Sequence, residues 1–156
     1  MSAPIVTWYN QANTAQLNNW TIGTVDAGTT SPDLQLLVWN NRGGATAVSD
    51  MTSCTITTKD SNGGDTGELV TNTWIQCKCV STGDSTFTPI GGSNSTKAIK
   101  ASGSTISSGV ISGAVNDGTY NNASNNYSEL VLHATVPLTA SAGSQNFYVR
   151  VAYQYV

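Results

Sequence analysis

The sequence predicts an all-β protein, an antiparallel β-sandwich of about eight or nine strands. Short segments alternate between apolar and polar residues, which places every second side chain on one face of a strand. Gly, Asn, Asp and Ser residues, which favour turns, separate these segments. No stretch shows the periodicity of an amphipathic helix. Strands without helices must bury their apolar faces against one another, which favours two packed sheets, immunoglobulin-like or jelly-roll-like.

The C-terminal third carries the clearest strand signals. Residues 129–136 and residues 147–155 each alternate with a period of two. The side chains predicted to share the apolar faces are Leu130, Leu132, Ala134 and Val136 in the first segment and Phe147, Val149, Val151, Tyr153 and Tyr155 in the second. Between the segments, Pro137–Ser144 supplies a strand stop and a flexible turn. We therefore predict a long β-hairpin, covered by a second layer from the rest of the chain.

The preceding part of the chain supplies the other strands, and a long polar loop follows at Asn116–Asn126. The predicted strands are Pro4–Tyr9, Trp20–Val25, Leu34–Trp39, Met51–Thr58, Leu69–Val80, Thr86–Ile90, Lys97–Ala101 and Thr105–Ile111. The first of them is either an edge strand or part of an extended N-terminal arm over residues 1–16. No composition break divides the chain, so we expect residues 1–156 to form a single domain.

Composition and charge narrow the class of protein. Charged residues make up 10% of the 156-residue chain, against about 25% in an ordinary soluble domain. Ser, Thr, Asn and Gly provide the polarity instead, which is typical of extracellular or virion-surface proteins. The formal net charge is −3, and the six Lys and Arg residues are scattered. Because phosphate binding needs clustered positive charge, we do not expect a nucleic-acid partner.

The N-terminal residues Met1–Pro4 show neither the basic nor the apolar region of a secretory signal. No apolar run approaches the roughly 20 residues that span a bilayer. The three cysteines are an odd number, which argues against a disulfide framework. We therefore expect synthesis in the cytoplasm, no export signal and no membrane partner. A virus particle, assembled inside the cell and released by lysis, reconciles this with the surface-type composition.

No catalytic or cofactor-binding constellation is visible, and we predict that the protein is not an enzyme. His133 is the only histidine, and the alternation places it facing solvent, opposite Leu132. Cys54, Cys77 and Cys79 lack the spacing of a zinc site and are predicted to be packed core thiols.

The acidic segment Asp60–Glu68 resembles a calcium loop only weakly, because its sixth position is Asp65 and its Glu comes at the ninth. We predict a plain hairpin turn there and no metal site. Among the aromatic residues, Trp20, Trp39 and Trp74 lie in strand patterns and are expected in the core. Tyr120 and Tyr127 are expected to be exposed, where they could stack on a sugar ring.

Two stretches resemble known families. Trp20–Gly28 with Leu34–Gly44 resembles the opening of small structural proteins of tailed bacteriophages. Val136–Tyr153 is similar to the last two strands of bacterial immunoglobulin-like domains. It combines a Val-Pro step, a turn of small residues with Gly143, and a strand rich in aromatic residues. Together they cover roughly half of the chain. The resemblance implies a sandwich used as a virion component and transfers no catalytic residue.

The expected role is that of a capsid decoration protein, and the alternatives are a tail or baseplate accessory protein and a carbohydrate- or cell-surface-binding module. The expected partners are the major capsid protein or other virion proteins, further copies of the chain, or a host surface glycan. We predict attachment through Ile5, Val6, Trp8 and Tyr9, because an extended apolar segment can add a strand to a neighbour's sheet. The alternative is that this segment pairs within its own sandwich.

Overall fold

The computed structural model describes residues 1–156 and contains eight strands in two antiparallel sheets. The strands, numbered along the chain, are β1 (Val6–Asn10), β2 (Leu34–Asn40), β3 (Thr52–Asp60), β4 (Ile75–Cys79), β5 (Thr88–Ile90), β6 (Lys97–Ala98), β7 (Tyr127–Ala134) and β8 (Phe147–Gln154). One sheet has the order β1-β2-β7-β4-β5, and the other has the order β6-β3-β8. The predicted antiparallel β-sandwich is confirmed.

The core lies between the two sheets and follows the period-two patterns of the strands. The five-stranded sheet contributes Leu36 and Val38 from β2, Ile75, Cys77 and Cys79 from β4, and Leu130, Leu132 and Ala134 from β7. The opposite sheet contributes Cys54 and Ile56 from β3. The predicted faces of β3, β4 and β7 are therefore correct. A second, smaller cluster of Leu37, Trp39, Ala123 and Tyr127 covers the outer face of the five-stranded sheet.

The predicted C-terminal hairpin is wrong, because β7 and β8 belong to opposite sheets. Both edges of β7 are occupied: β2 pairs along one edge, with Leu36 opposite Leu130, and β4 pairs along the other. The connection after Ala134 crosses to the other sheet, where β8 pairs with β3 and Val151 lies opposite Ile56. The alternation of β8 is present, but its inward side chains are only half-buried and Tyr155 is 52% exposed.

Two further predicted strands are absent. Residues 20–25 have no strand structure, although Trp20 and Ile22 still pack against the core. Their backbone has no ladder partner, because β2 already pairs with β1 and β7. Residues 105–111 form a single bridge, between Ile111 and Met51.

The predicted strand over Leu69–Val80 is interrupted. A helical turn, α1 (Glu68–Thr71), precedes β4, and Leu69 and Val70 are buried in it. Gly67 and Thr73 have positive φ angles of 85° and 52°, and these turns separate α1 from its neighbours. The other helical segments are the 3-10 turns Val80–Thr82 and Ser124–Asn126. None of these helices is long or apolar enough to cross a bilayer.

The central position of β7 predicts a stability difference between two leucines. Leu132 is fully buried on β7, whereas Leu138, in the following connection, is 83% exposed. We expect Leu132→Ala to lower the free energy of unfolding by about 2–5 kcal/mol, because it leaves a cavity in the core. The matched change Leu138→Ala should have an effect of less than about 0.5 kcal/mol. Urea unfolding measures both, and equal effects would contradict the assigned role of β7.

Candidate binding surface

The most distinctive surface feature is an apolar groove between β1 and β8, which we call the open side. These are edge strands of the two different sheets. At one end of the groove lies a cavity of about 300 Å³, lined mainly by hydrophobic side chains that include Trp8, Trp20, Leu34 and Phe147. A shallower depression of about 350 Å³ continues along β8. The inward side chains of β8 are half-buried because no further strand covers them.

Three of the four residues predicted for attachment lie in β1, on its two faces, and the fourth precedes it. Val6 and Trp8 pack towards the core and line the open side. Ile5 precedes the strand and is 54% exposed, while its backbone N–H donates to Asn40 Oδ1 at 3.1 Å. Tyr9 points to the opposite face. Since β1 pairs with β2 along its whole length, the segment forms an edge strand of the chain's own sandwich.

The outer face of the five-stranded sheet carries a stacked aromatic cluster. The Arg42 guanidinium lies 4.0 Å from the ring centre of Tyr9, and its Nε donates to Asn13 Oδ1 at 3.0 Å. Next to it, the rings of Trp39 and Tyr127 are 4.7 Å apart. This arrangement is a packed layer with a cation on its rim.

The predicted exposure of Tyr127 is wrong, and that of Tyr120 is correct. Tyr127 is 3% exposed, because it belongs to β7 and Tyr120 stacks over its ring. Burial raises the pKa of the Tyr127 hydroxyl, which donates to the Tyr120 carbonyl at 2.8 Å. Tyr120 is 37% exposed, and its hydroxyl donates to Glu129, which raises the pKa of Tyr120. The two rings therefore offer at most one free face.

His133 lies on the outer face of β7 as predicted, but its side chain is covered, with 12% exposed. The ring of Phe87 stacks on it at 3.8 Å between centres. Its Nδ1 lies 3.0 Å from Asp33 Oδ1, and its Nε2 lies 3.0 Å from Gln76 Oε1. The prediction of a solvent-facing side chain is therefore wrong, because a residue in the β4–β5 connection shields it.

The acidic segment after β3 is organised around one carboxylate. Asp60 accepts hydrogen bonds from the backbone N–H groups of Asn62, Gly64 and Thr66 and from the Thr66 hydroxyl. The Thr66 hydroxyl and these N–H groups hold the pKa of Asp60 well below its usual range. The segment connects β3 to α1, so the prediction of a hairpin turn is wrong, although it is a tight turn. No group of three or more His, Cys, Asp or Glu side chains is placed to hold a metal ion.

Comparisons with protein-family models, with curated proteins and with solved structures return no match. The open side includes Leu17 and Asn18 from the β1–β2 connection, which the sequence did not single out. It also includes Phe147 and Val149 from β8, which were predicted to lie on an apolar face but not on a binding surface. The alternation of β8 was visible in the sequence. The predicted hairpin pairs β8 with β7, so the free edge of β8 was not predicted.

The Asp60 turn predicts a specific acid sensitivity. Its carboxylate has a lowered pKa in the folded chain, so it stabilises the fold above its unfolded pKa of about 4 and loses this effect as the pH falls further. We expect Asp60→Asn to lower the melting temperature at pH 7 and to weaken its dependence on pH between about 5 and 2. Melting curves across this range test this, with Asp26→Asn, at an exposed position, as the control. Parallel curves for the wild type and Asp60→Asn would contradict it.

The three cysteines predict protection from thiol reagents. All three are free and at most 1% exposed, and burial raises the pKa of Cys54 and of Cys77 to about 12. The thiols of Cys54 and Cys77 therefore stay neutral at pH 8, where a free thiol in water is partly ionised, and Cys79 is shielded by its burial. We expect no reaction with a disulfide reagent at pH 8 in the native protein and three equivalents after denaturation. Rapid labelling of the native chain would show that the core opens readily.

Proposed function

We propose that this protein is a non-enzymatic structural component of a virus particle, a phage capsid decoration protein that binds the outer shell. The observation that carries the proposal is the open side, where two sheets end in edge strands around an uncovered apolar groove. An extended segment of a neighbouring protein could add its backbone to such an edge and its alternate side chains to the groove. Val6 and Trp8 would contact that segment.

Surface chemistry supports a role in a dense array. Charged residues make up only 10% of the chain, and the long connection before β7 is rich in Asn, Gly and Thr. Low charge density limits repulsion between closely spaced copies. We infer that the polar connections point away from the particle and that the major capsid protein is the partner.

Immunogold electron microscopy tests the assignment, using antibody against the recombinant chain on particles purified from the lysate that contains it. We expect label spread over the capsids, with unlabelled particles when the antibody is first absorbed with the recombinant chain. Label confined to one end would replace the decoration role with a tail or baseplate role. Absence of label from every particle would contradict the virion assignment.

A carbohydrate-binding module is the second candidate, and one observation favours it. Trp8 and Trp20 line the same cavity as Asn18 and Asn19, which combines aromatic faces with amide hydrogen-bonding groups. A glycan ligand would change tryptophan fluorescence on binding. Trp20→Ala should abolish that change, whereas Tyr120→Ala, on the other face of the five-stranded sheet, should leave it intact.

A further inference from the structure

β8 differs from the other edge strands of the sandwich because no other segment covers its free edge, and Arg150 is its one charged residue. Residues 15–17 cover part of β1: the Leu17 N–H donates to the Trp8 carbonyl at 2.7 Å, and the Asn10 N–H donates to Ala15 at 2.9 Å. β5 has three residues, including Pro89, and β6 has two residues. β8 has eight residues without Pro or Gly. Native proteins usually blunt such edges, so a long unprotected one indicates a strand partner.

The hydrogen bonds of β3 show which groups of β8 are free. The carbonyls of Cys54 and Thr58 accept bonds from Ile99 and Gly92, on the side of β3 away from β8. The odd-numbered residues of β3 therefore bond to β8, and their partners are Tyr148, Arg150 and Ala152. By alternation, the N–H and C=O groups of Val149, Val151 and Tyr153 point to the free edge. The same three residues direct their side chains towards the open side.

We propose that a second copy of this chain covers the free edge, through antiparallel pairing of β8 with β8 about a two-fold axis at Val151. This register places Val151 opposite Val151 and Val149 opposite Tyr153, which pairs β-branched and aromatic side chains. All of these residues present free backbone groups, so each pair can exchange both hydrogen bonds. The three-stranded sheets of the two copies then form one continuous six-stranded sheet.

Charge distinguishes this register from its neighbours. Arg150 is the only charged side chain between Ala134 and Val156, so two copies bring little repulsion to the contact. With the axis at Val151, Arg150 lies opposite Ala152 of the other copy. Moving the axis to Arg150 would place the two arginines directly opposite each other, which is unfavourable. A shift of the pairing by one residue would turn the apolar face of one copy to solvent.

The inward-facing side chains of β8 also favour a second copy as the partner at the free edge. A two-fold axis perpendicular to the sheet keeps the same face inward in both copies. Val149, Val151 and Tyr153 of the second copy therefore lie beside the groove and cover Val6 and Trp8. The partner thus supplies apolar area where the sandwich lacks a strand, without any segment from another protein.

Reciprocal charge changes at Ala152, which is exposed on the outer face, test the register. We expect Ala152→Glu to tighten the dimer about five- to tenfold, because each copy gains an acid opposite Arg150. Ala152→Lys should weaken it by a similar factor, and Arg150→Glu combined with Ala152→Lys should restore it. Sedimentation equilibrium at low salt measures these constants. The exposed Ala45, changed to Glu or Lys, controls for net charge, and equal effects of both signs at Ala152 would overturn the register.

A backbone variant tests the edge itself. Val151→Pro removes an N–H that points to the free edge and leaves the bonds to β3 intact, so we expect a folded monomer. Ala152→Pro removes a bond to β3 and should instead lower the melting temperature strongly. The inference is wrong if the wild type stays monomeric up to about 1 mM, or if a folded Val151→Pro variant remains dimeric.

This inference shares the open side with the proposed function, and the two occupants exclude each other on one copy. In solution the second copy occupies the free edge of β8, and on the particle a segment of the capsid protein replaces it. The two proposals can therefore fail separately. If the chain is monomeric in solution and its antibody labels the particles, the dimer is overturned and the decoration role remains. If the chain is dimeric and its antibody labels no particle, the decoration role is overturned and the dimer remains.

Discussion

Saturation of both edges of β7 determines how the rest of the sandwich is arranged. β2 pairs with Tyr127–Leu132 along one edge and β4 pairs with Leu130–Ala134 along the other, and the inward residues Leu130 and Leu132 fill the centre of the core. The next strand along the chain cannot pair with it and must join the other sheet. β8 therefore pairs with β3 alone and ends that sheet. The open side follows directly from this arrangement.

The sequence predicted which side chains share a face better than it predicted which strands are neighbours. A period of two identifies the inward residues of β7 and β8, since it depends only on the local geometry of a strand. Pairing depends on contacts between residues far apart in the chain. Leu36 lies opposite Leu130, although more than half of the chain's length separates them in sequence, and no local pattern encodes that contact. Adjacent strands separated by a turn suggest a hairpin, and this local signal misled the prediction here.

The environments of single aromatic side chains also depend on contacts that local sequence patterns do not encode. Trp20 contributes to the core although it does not lie in a strand, because its ring packs edge-on against that of Phe147, with 5.9 Å between the ring centres. Tyr127 was expected to be exposed, yet it begins β7 and is buried under Tyr120. An amphipathic ring next to Asn and Ser residues suits either an exposed loop or a covered strand end. Only the fold decides between these environments.

The binding surface was predictable in composition but not in shape. Val6 and Trp8 were recognised as an apolar pair on an extended segment, which is the chemistry of strand addition. Their partner across the groove could not be named, because β8 was assumed to be covered by β7. Because β8 is an edge strand, its lack of protection indicates that it can pair with another strand, which would not follow if the same residues lay inside a sheet. A buried strand needs no defence against pairing, whereas a free strand of eight residues without a proline or a glycine is suited to it. The order of strands therefore turns an ordinary apolar segment into a candidate interface.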